Sequence, residues 1–326
     1  MKAIVRTAYG PPEVLQLEDV DKPAPKNDEV LVEVQAASVN SSDWELLRGK
    51  PLWARLWGFL RPRYEILGSD IAGRVEAVGS NVERFQPGDE VFGDIFGSWG
   101  GFAEYVCARE DRLVLKPAGM TFEEAAAVPQ AAVIALQGVR DKGRVQLGQT
   151  VLINGAGGGA GSFAVQIAKS LGAKVTGVDS TRKMDMMRSI GADHVIDYTQ
   201  EDFTRKGQRY DLILDLAAYH STFDYRRALG RRGIYLVVGG SMARVFQTVL
   251  LGSLMSVTGS RKMGLLAMRP NTEDLESLKE LYDAGTIVSV IDRRYSLGEV
   301  REALRYLGAG QAKGKLVIIL GQGADT

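Results

Sequence analysis

Residues 151–169 read Val151-Leu-Ile-Asn-Gly155-Ala156-Gly157-Gly158-Gly159-Ala160-Gly161-Ser-Phe-Ala-Val-Gln-Ile-Ala-Lys169, with Asp179 following. A run of β-branched and apolar residues enters a glycine cluster, and the cluster opens a run of helix formers. The first N–H groups of a helix have no partner within it, and the aligned peptide dipoles leave its N-terminus partly positive. A phosphate is bound well there, and glycine lets the backbone approach it where a Cβ would intervene. The spacing to Asp179, at the end of the next strand, is that of a dinucleotide fingerprint, in which the acid meets ribose hydroxyls. The alternative is a plain glycine-rich turn between a strand and a helix.

Working outward, the downstream pattern favours the fingerprint. Strands are predicted at Thr150 to Asn154, Lys174 to Val178, His194 to Ile196, Leu212 to Leu216 and Ile234 to Val238, with helices at Ser162 to Leu171 and Lys183 to Ile190 between them. Strands alternating with helices make an α/β fold with a doubly wound parallel sheet. Upstream, about 120 residues read as many short strands punctuated by turns, the pattern of a barrel or sandwich. Thr121-Phe-Glu-Glu124 has the form of a capping box, and the alanine-rich stretch Ala125 to Leu136 then reads as helix. The tail predicts helices at Asp274 to Ala284 and Leu297 to Leu307 and a strand at Lys315 to Leu320.

Composition narrows the function. The 326 residues carry 40 basic and 40 acidic side chains, so no net field favours a nucleic acid or another polyanion. A single cysteine, Cys107, cannot form an internal disulfide, which removes the secreted disulfide scaffolds and fits a reducing, cytoplasmic setting. With only His194 and His220 besides, a cysteine-rich zinc site is excluded, and a catalytic one would need all three to converge or carboxylates to substitute. The N-terminal Met1 to Val14 has no apolar core of signal-peptide type. Two apolar stretches, Leu52 to Leu60 and Val245 to Thr258, fall short of the roughly 18 residues of a membrane span and read as core, lid or dimer contact, with membrane contact as the alternative.

The chain resembles the medium-chain dehydrogenase/reductase superfamily, in its zinc-free quinone oxidoreductase-like branch. The resemblance covers essentially the whole chain. It is carried by Val39 to Trp44, Leu67 to Gly79, Phe85 to Gly93, Gly101 to Tyr105, Ala125 to Gln130, Gly155 to Gly161, Gly191 to Tyr198 and Gly314 to Val317, in that order. It implies a GroES-like β-barrel domain of residues 1–122 and 268–326, a Rossmann domain of residues 123–267, and an active site in the cleft between them. Where zinc-dependent members carry metal ligands, this sequence has Asn40, Ser69 and Gln130. None is a good zinc ligand, so no zinc is expected.

Without a Lewis acid, oxidation of a simple alcohol lacks its main activation. Hydride addition to a quinone or an α,β-unsaturated carbonyl is easier, because the charge is delocalised onto an oxygen that neutral donors can stabilise. The branch therefore implies an NAD(P)H-dependent reductase of quinones or enones. Two other readings stand beside it: a cofactor-binding protein with little turnover, acting as a sensor or partner module, and an alcohol or carbonyl dehydrogenase with an unusual metal.

The candidate catalytic residues are Asn40, to hydrogen-bond the acceptor oxygen or to cap a loop; Ser42, as a proton relay; and Asp43, in catalysis, as a helix cap or as the partner of Arg48. The candidate cofactor residues are Gly155 to Gly161, Asp179, Ser180, Arg182, Lys183, Tyr198, Gly239 and Gly240. Asp179 favours NAD(H), whereas Ser180 and the cations Arg182 and Lys183 suit a 2′-phosphate. In NADP-using members of the branch a lysine and a tyrosine, matching Lys183 and Tyr198, approach that phosphate. With Arg182 able to neutralise Asp179, NADP(H) is favoured and NAD(H) remains open. Tyr64 reads as a gate or as packing, and the tryptophans of the insertion Pro51 to Pro62 as pocket wall or barrel packing. By the same resemblance the chain is a homodimer through a sheet edge supplied by Val257 to Met268.

Overall fold

The computed structural model describes residues 1–56, 58–252 and 260–321. The chain forms two compact units. The first holds Met1–Gln130, Pro270–Asp283 and the stretch from Ser289 on; the second holds Ala131–Arg269 and Ala284–Val288.

In the first unit the elements in chain order are β1 (Lys2–Val5), β2 (Gln16–Asp19), β3 (Glu29–Val39), α1 (Ser41–Arg48), β4 (Asp70–Val78), β5 (Glu90–Asp94), β6 (Tyr105–Arg109), β7 (Leu113–Leu115) and α2 (Phe122–Ala127). A helix α3 (Pro129–Leu136) leads into the second unit, with β8 (Thr150–Asn154), α4 (Gly159–Ser170), β9 (Lys174–Asp179), α5 (Met184–Ser189), β10 (His194–Asp197), β11 (Tyr210–Asp215), α6 (Thr222–Ala228), β12 (Leu229–Val237), α7 (Met242–Gln247) and β13 (Lys262–Leu265). The chain then returns to the first unit with α8 (Thr272–Asp283), β14 (Ile291–Ser296), α9 (Val300–Gly308) and β15 (Lys315–Ile319).

Six parallel strands of the second unit lie in the order β10-β9-β8-β11-β12-β13. Counted from β8 this is 3-2-1-4-5-6, the order of a Rossmann sheet, and its switch point falls between β8 and β11. Both strands are buried along almost their whole length around an apolar centre, as a sheet covered on both faces requires. The predicted strand Thr150 to Asn154 is reproduced residue for residue, since the glycine cluster ends it.

The first unit carries a mostly antiparallel seven-stranded sheet in which β15 pairs with β3, β3 with β4, and β4 with β5. It encloses a core of Val30, Val32, Ile71, Val91, Phe102, Leu304 and Leu316, among others. These pairings decide the site. Leu316 sits opposite Val39, which brings Lys315 beside Asn40, and Ser38 sits opposite Asp70.

Several expectations change. The helix read over Ala125 to Leu136 is two, because Pro129 cannot donate to the preceding turn and starts a new helix at its first position. Helix α2 packs on β3 and β4, so the first unit runs to Gln130 rather than residue 122. Residues 284–288 belong with the second unit, where the Gln166 amide takes both the N–H and the C=O of Val288. The strand expected from Phe102 begins at Tyr105, since Phe102 and Ala103 pair instead with Ile4 and Ala3. Cys107 is half-buried rather than buried, and burial pushes its thiol up to about 11.

Among the described residues of the apolar stretch 52–60, Leu52, Leu56, Phe59 and Leu60 are exposed rather than core, and only Ala54 is buried. The Trp53 side chain and Trp57 lie outside the described residues. In the second stretch Phe246, Val249 and Leu250 are likewise exposed, and residues 253–258 lie outside the described residues. No described helix is long and apolar enough to cross a membrane.

Candidate active site

In the first unit a polar cluster is built where β3 ends. Asn40 leaves the strand in extended conformation and stands at the N-cap of α1. Its backbone N–H donates to Asp43 Oδ2 at 2.8 Å, and Asp43 Oδ1 accepts the N–H of Gly68 at 3.0 Å. Asp43 is thus a cap that ties the α1 turn to the chain before β4, while Arg48 lies over the Trp44 ring instead.

The Asn40 side chain is held at both ends. Its Nδ2 donates to Asp70 Oδ2 at 2.9 Å, and its Oδ1 accepts from Lys315 Nζ at 2.5 Å. Asp70 also accepts from Ser38 Oγ at 3.2 Å and from the Gln130 N–H at 3.1 Å, and Lys315 Nζ lies 3.5 Å away. Lys315 and Asp70 are 2% and 0% exposed, so an ion pair sits inside the unit. Burial lowers the Lys315 ammonium and raises the Asp70 carboxyl from their ordinary values, with each partially holding the other charged.

Beside it, Ser42 Oγ donates to Gln130 Oε1 at 3.0 Å and Gln130 Nε2 donates to Ser69 Oγ at 3.4 Å. Asp94, opposite Asp70 on the next strand, accepts from the Phe96 N–H, and burial raises its carboxyl well above the usual range.

Asn40, Ser69 and Gln130 therefore come together as the sequence pattern implied, but as a neutral hydrogen-bonded set around a buried ammonium. Among the described residues no three His, Cys, Asp or Glu side chains converge for a metal. These donors do not fit zinc, which needs anionic or imidazole ligands and would meet the charge of Lys315. Sequence reasoning missed Lys315 and Asp70 as site residues. The signal was present, because a lysine opening the run Lys315-Leu-Val-Ile-Ile319 would be buried with the strand and so needs an acid.

Burial raises Asp43 to about 7 from 3.8. A carboxyl whose folded pKa exceeds its unfolded one keeps its proton on folding, so the native state binds more protons between those values. Its contribution to stability is greatest below about pH 4 and is lost as pH rises to about 7. Asp43→Ala should cost about 3 kcal/mol near pH 5, because the N–H groups of Asn40 and Gly68 lose their acceptor. That deficit should shrink by about 2 kcal/mol on going to pH 7. Urea titrations of both proteins at several pH values check the sign; a deficit that grows with pH would refute it.

In the second unit the glycine turn joins β8 to α4. A Cβ on Gly161 would stand 2.1 Å from the carbonyl oxygen of Gly155, and one on Gly157 would stand 2.6 Å from the Lys183 side chain. The turn is a cradle that side chains would fill, which is what close approach of a pyrophosphate to the α4 N-terminus needs. Beside it, at the switch point, Asn154 Nδ2 donates to the buried Asp215 at 2.7 Å, and Tyr235 donates to the same carboxylate at 2.8 Å. The Gly239-Gly240 turn is joined to the end of the β11 loop, where Gly239 accepts the Ala218 N–H at 3.0 Å.

Asp179 ends β9 and is buried, accepting the Gly157 N–H at 3.0 Å and the Ser180 N–H at 2.8 Å. Lys183 lies 3.3 Å from it. Lys183 is thus a neutralising partner of Asp179, and Arg182, the cation for which the sequence suggests that role, is exposed in the turn that follows β9. The Tyr198 N–H donates to the Asp179 carbonyl at 3.2 Å, and its half-exposed ring lies 5.9 Å from that of Tyr219. His220 is packed among Phe203, Tyr219 and Tyr225, and Tyr64 against Trp99.

Family models described as an alcohol dehydrogenase GroES-like domain and a zinc-binding dehydrogenase match residues 26–118 and 190–318. The chain is 34% identical to 2-methylene-furan-3-one reductase of Solanum lycopersicum, over 98% of this chain and 79% of that one. Its structure resembles the quinone oxidoreductase of Coxiella burnetii, with a TM-score of 0.90 at 30% identity, covering 98% and 99% of the two chains. It also resembles an Escherichia coli quinone oxidoreductase complexed with NADPH, with a TM-score of 0.85 at 25% identity, covering 98% and 100%.

Proposed function

Because the chain belongs to the medium-chain dehydrogenase/reductase superfamily, in its quinone oxidoreductase-like branch, we propose that it is an NAD(P)H-dependent, zinc-independent reductase of quinones or α,β-unsaturated carbonyls. The observation that carries this reading is the Asn40 amide, clamped between Lys315 and Asp70 where a metal would otherwise act.

When bound, the reduced nicotinamide supplies a hydride to the acceptor carbon. The chain's own residues deal with the oxygen that gains charge. Nδ2 of Asn40 has two N–H groups, and one is spent on Asp70. Lys315 holds the amide oxygen and so fixes which end is nitrogen. The second N–H, without a partner among the described residues, donates to the acceptor oxygen. An amide held in one orientation stabilises the developing charge without reorganising. Ser42 holds Gln130 in place, and Asp43 holds the loop that presents Asn40.

We assign the pyrophosphate to Gly155–Gly161, the nucleotide's ribose end to Asp179, Ser180, Arg182, Lys183 and Tyr198, and the cofactor's other end, across the switch point, to Gly239 and Gly240. Because Lys183 offsets Asp179, the acid repels a 2′-phosphate less, which supports NADP(H) over NAD(H). Asp179→Ser should shift the ratio of KM values toward NADPH by about tenfold, since it removes the acid and releases Lys183. An unchanged ratio would mean that Asp179 only holds the turn.

The test of the function is a matrix of NADPH and NADH against quinone, enone and aldehyde, with and without chelator. Rapid cofactor oxidation by quinone or enone, indifferent to chelator, is expected. Metal-dependent oxidation of a simple alcohol would overturn the reading, as would tight NADPH binding without turnover on any acceptor.

The place of β13 at the end of the strand order among the described residues, and the exposed Phe246, Leu250 and Leu265, support a homodimer. Light scattering should give twice the chain mass, and Phe246→Glu with Leu250→Glu should give the monomer. The lone Cys107 thiol supports a reducing, cytoplasmic compartment.

A further inference from the structure

We propose that the surface of residues 48–63 docks onto an anionic lipid bilayer as a peripheral contact. Two independent features meet there. Between Glu45 and Glu65 the chain has Arg48, Lys50, Arg55, Arg61 and Arg63 and no acid, in a protein whose total charge is zero. In the same stretch Leu52, Leu56, Phe59 and Leu60 are 76%, 80%, 72% and 86% exposed.

The segment is tethered from below, which keeps those side chains out. Ala54 is buried in the core of the first unit, and Tyr9 donates to the Gly58 carbonyl at 2.6 Å. Arg55 donates to the Gly49 carbonyl at 3.1 Å and lies over the Tyr9 ring. Arg48 and Arg63 lie over the rings of Trp44 and Tyr64. None of these contacts neutralises a cation.

Charge and apolarity together select the occupant. An anionic bilayer takes the leucines and the phenylalanine below its headgroups and the cations among its phosphates. A nucleic acid would use the cations but leave the four apolar side chains in water. A second copy related by a twofold axis would set this patch against itself, with cation facing cation. The contact is a surface one, because no described helix can span the bilayer.

The test is co-sedimentation of the full chain with vesicles of phosphatidylcholine alone or doped with phosphatidylglycerol. Binding is expected to the doped vesicles only, and to fall with added salt. Arg61→Gln with Arg63→Gln should weaken it by roughly thirtyfold, and Phe59→Ser with Leu60→Ser by more than tenfold. Both variants should keep the wild-type Tm and its NADPH-binding affinity, since the exchanged side chains face solvent. Failure of the wild-type chain to bind doped vesicles would overturn the proposal. So would equal binding to neutral vesicles, or a wild-type dimer that the Phe59→Ser, Leu60→Ser variant converts to monomer.

Discussion

Lys315→Met will lower the unfolding free energy by about 3–5 kcal/mol, the cost of leaving one member of a buried ion pair without the other. Asp70 lies at 0% exposure and keeps only neutral donors once the ammonium is gone. It must then take up a proton or remain charged in a medium that solvates it poorly. The double variant Lys315→Met, Asp70→Asn removes both charges and should recover most of the loss, since a well-packed neutral pair is often no less stable than the ions it replaces. Urea unfolding of the wild type, both single variants and the double variant measures the coupling directly. A Lys315→Met protein as stable as wild type would show that the pair contributes nothing. The double variant separates folding from chemistry: it should fold yet stay slow, because nothing then sets the orientation of the Asn40 amide.

Asn40→Ala will lower kcat/KM for a quinone or enone by about a hundredfold or more, the usual effect of deleting one donor to a developing oxyanion. The loss should fall in kcat, with KM for NADPH unchanged, because the glycine turn and Asp179 are untouched. Asn40→Asp tests the sense of the hydrogen bond. It keeps the size but turns the Nδ2 donor into an acceptor facing Asp70, so it should be at least as slow and less stable. Steady-state kinetics with both acceptor classes decide the matter. A change confined to KM for NADPH would move Asn40 out of the role assigned to it.

The second unit was largely legible in the sequence because its signals are local. A parallel sheet buried on both faces writes each strand as a short apolar run, and β8 is closed by its own glycines. The first unit was legible only in outline. Phe102 and Ala103 read as strand by residue type, yet their partners are Ile4 and Ala3, almost a hundred residues earlier. The candidate site divides the same way. Gly155 to Gly161, Asp179 and Asn40 announce themselves by spacing or by family position. The meeting of Lys315 with Asp70 spans 245 residues and exists only because β15 lies against β3 and β3 against β4. Lys183 and Arg182 illustrate a finer limit, since sequence alone does not say that of these adjacent cations Lys183 is buried beside the acid while Arg182 is exposed.

The return of the chain to β3 through β15 has a consequence for anyone who would rebuild this protein from parts. A fragment ending at Gln130 would carry β3 with one edge stripped of β15, an invitation to pair with a stray strand. It would also carry Asp70 without its ammonium. Neither unit is therefore a module that can be cut out at a single joint. A graft of the nucleotide-holding half from a relative has to replace residues 131–269 and also carry across 284–288, whose Val288 is pinned by Gln166. Recombination at one crossover would leave that five-residue stitch mismatched, so chimaeras with two exchanged blocks should express where single-junction ones precipitate.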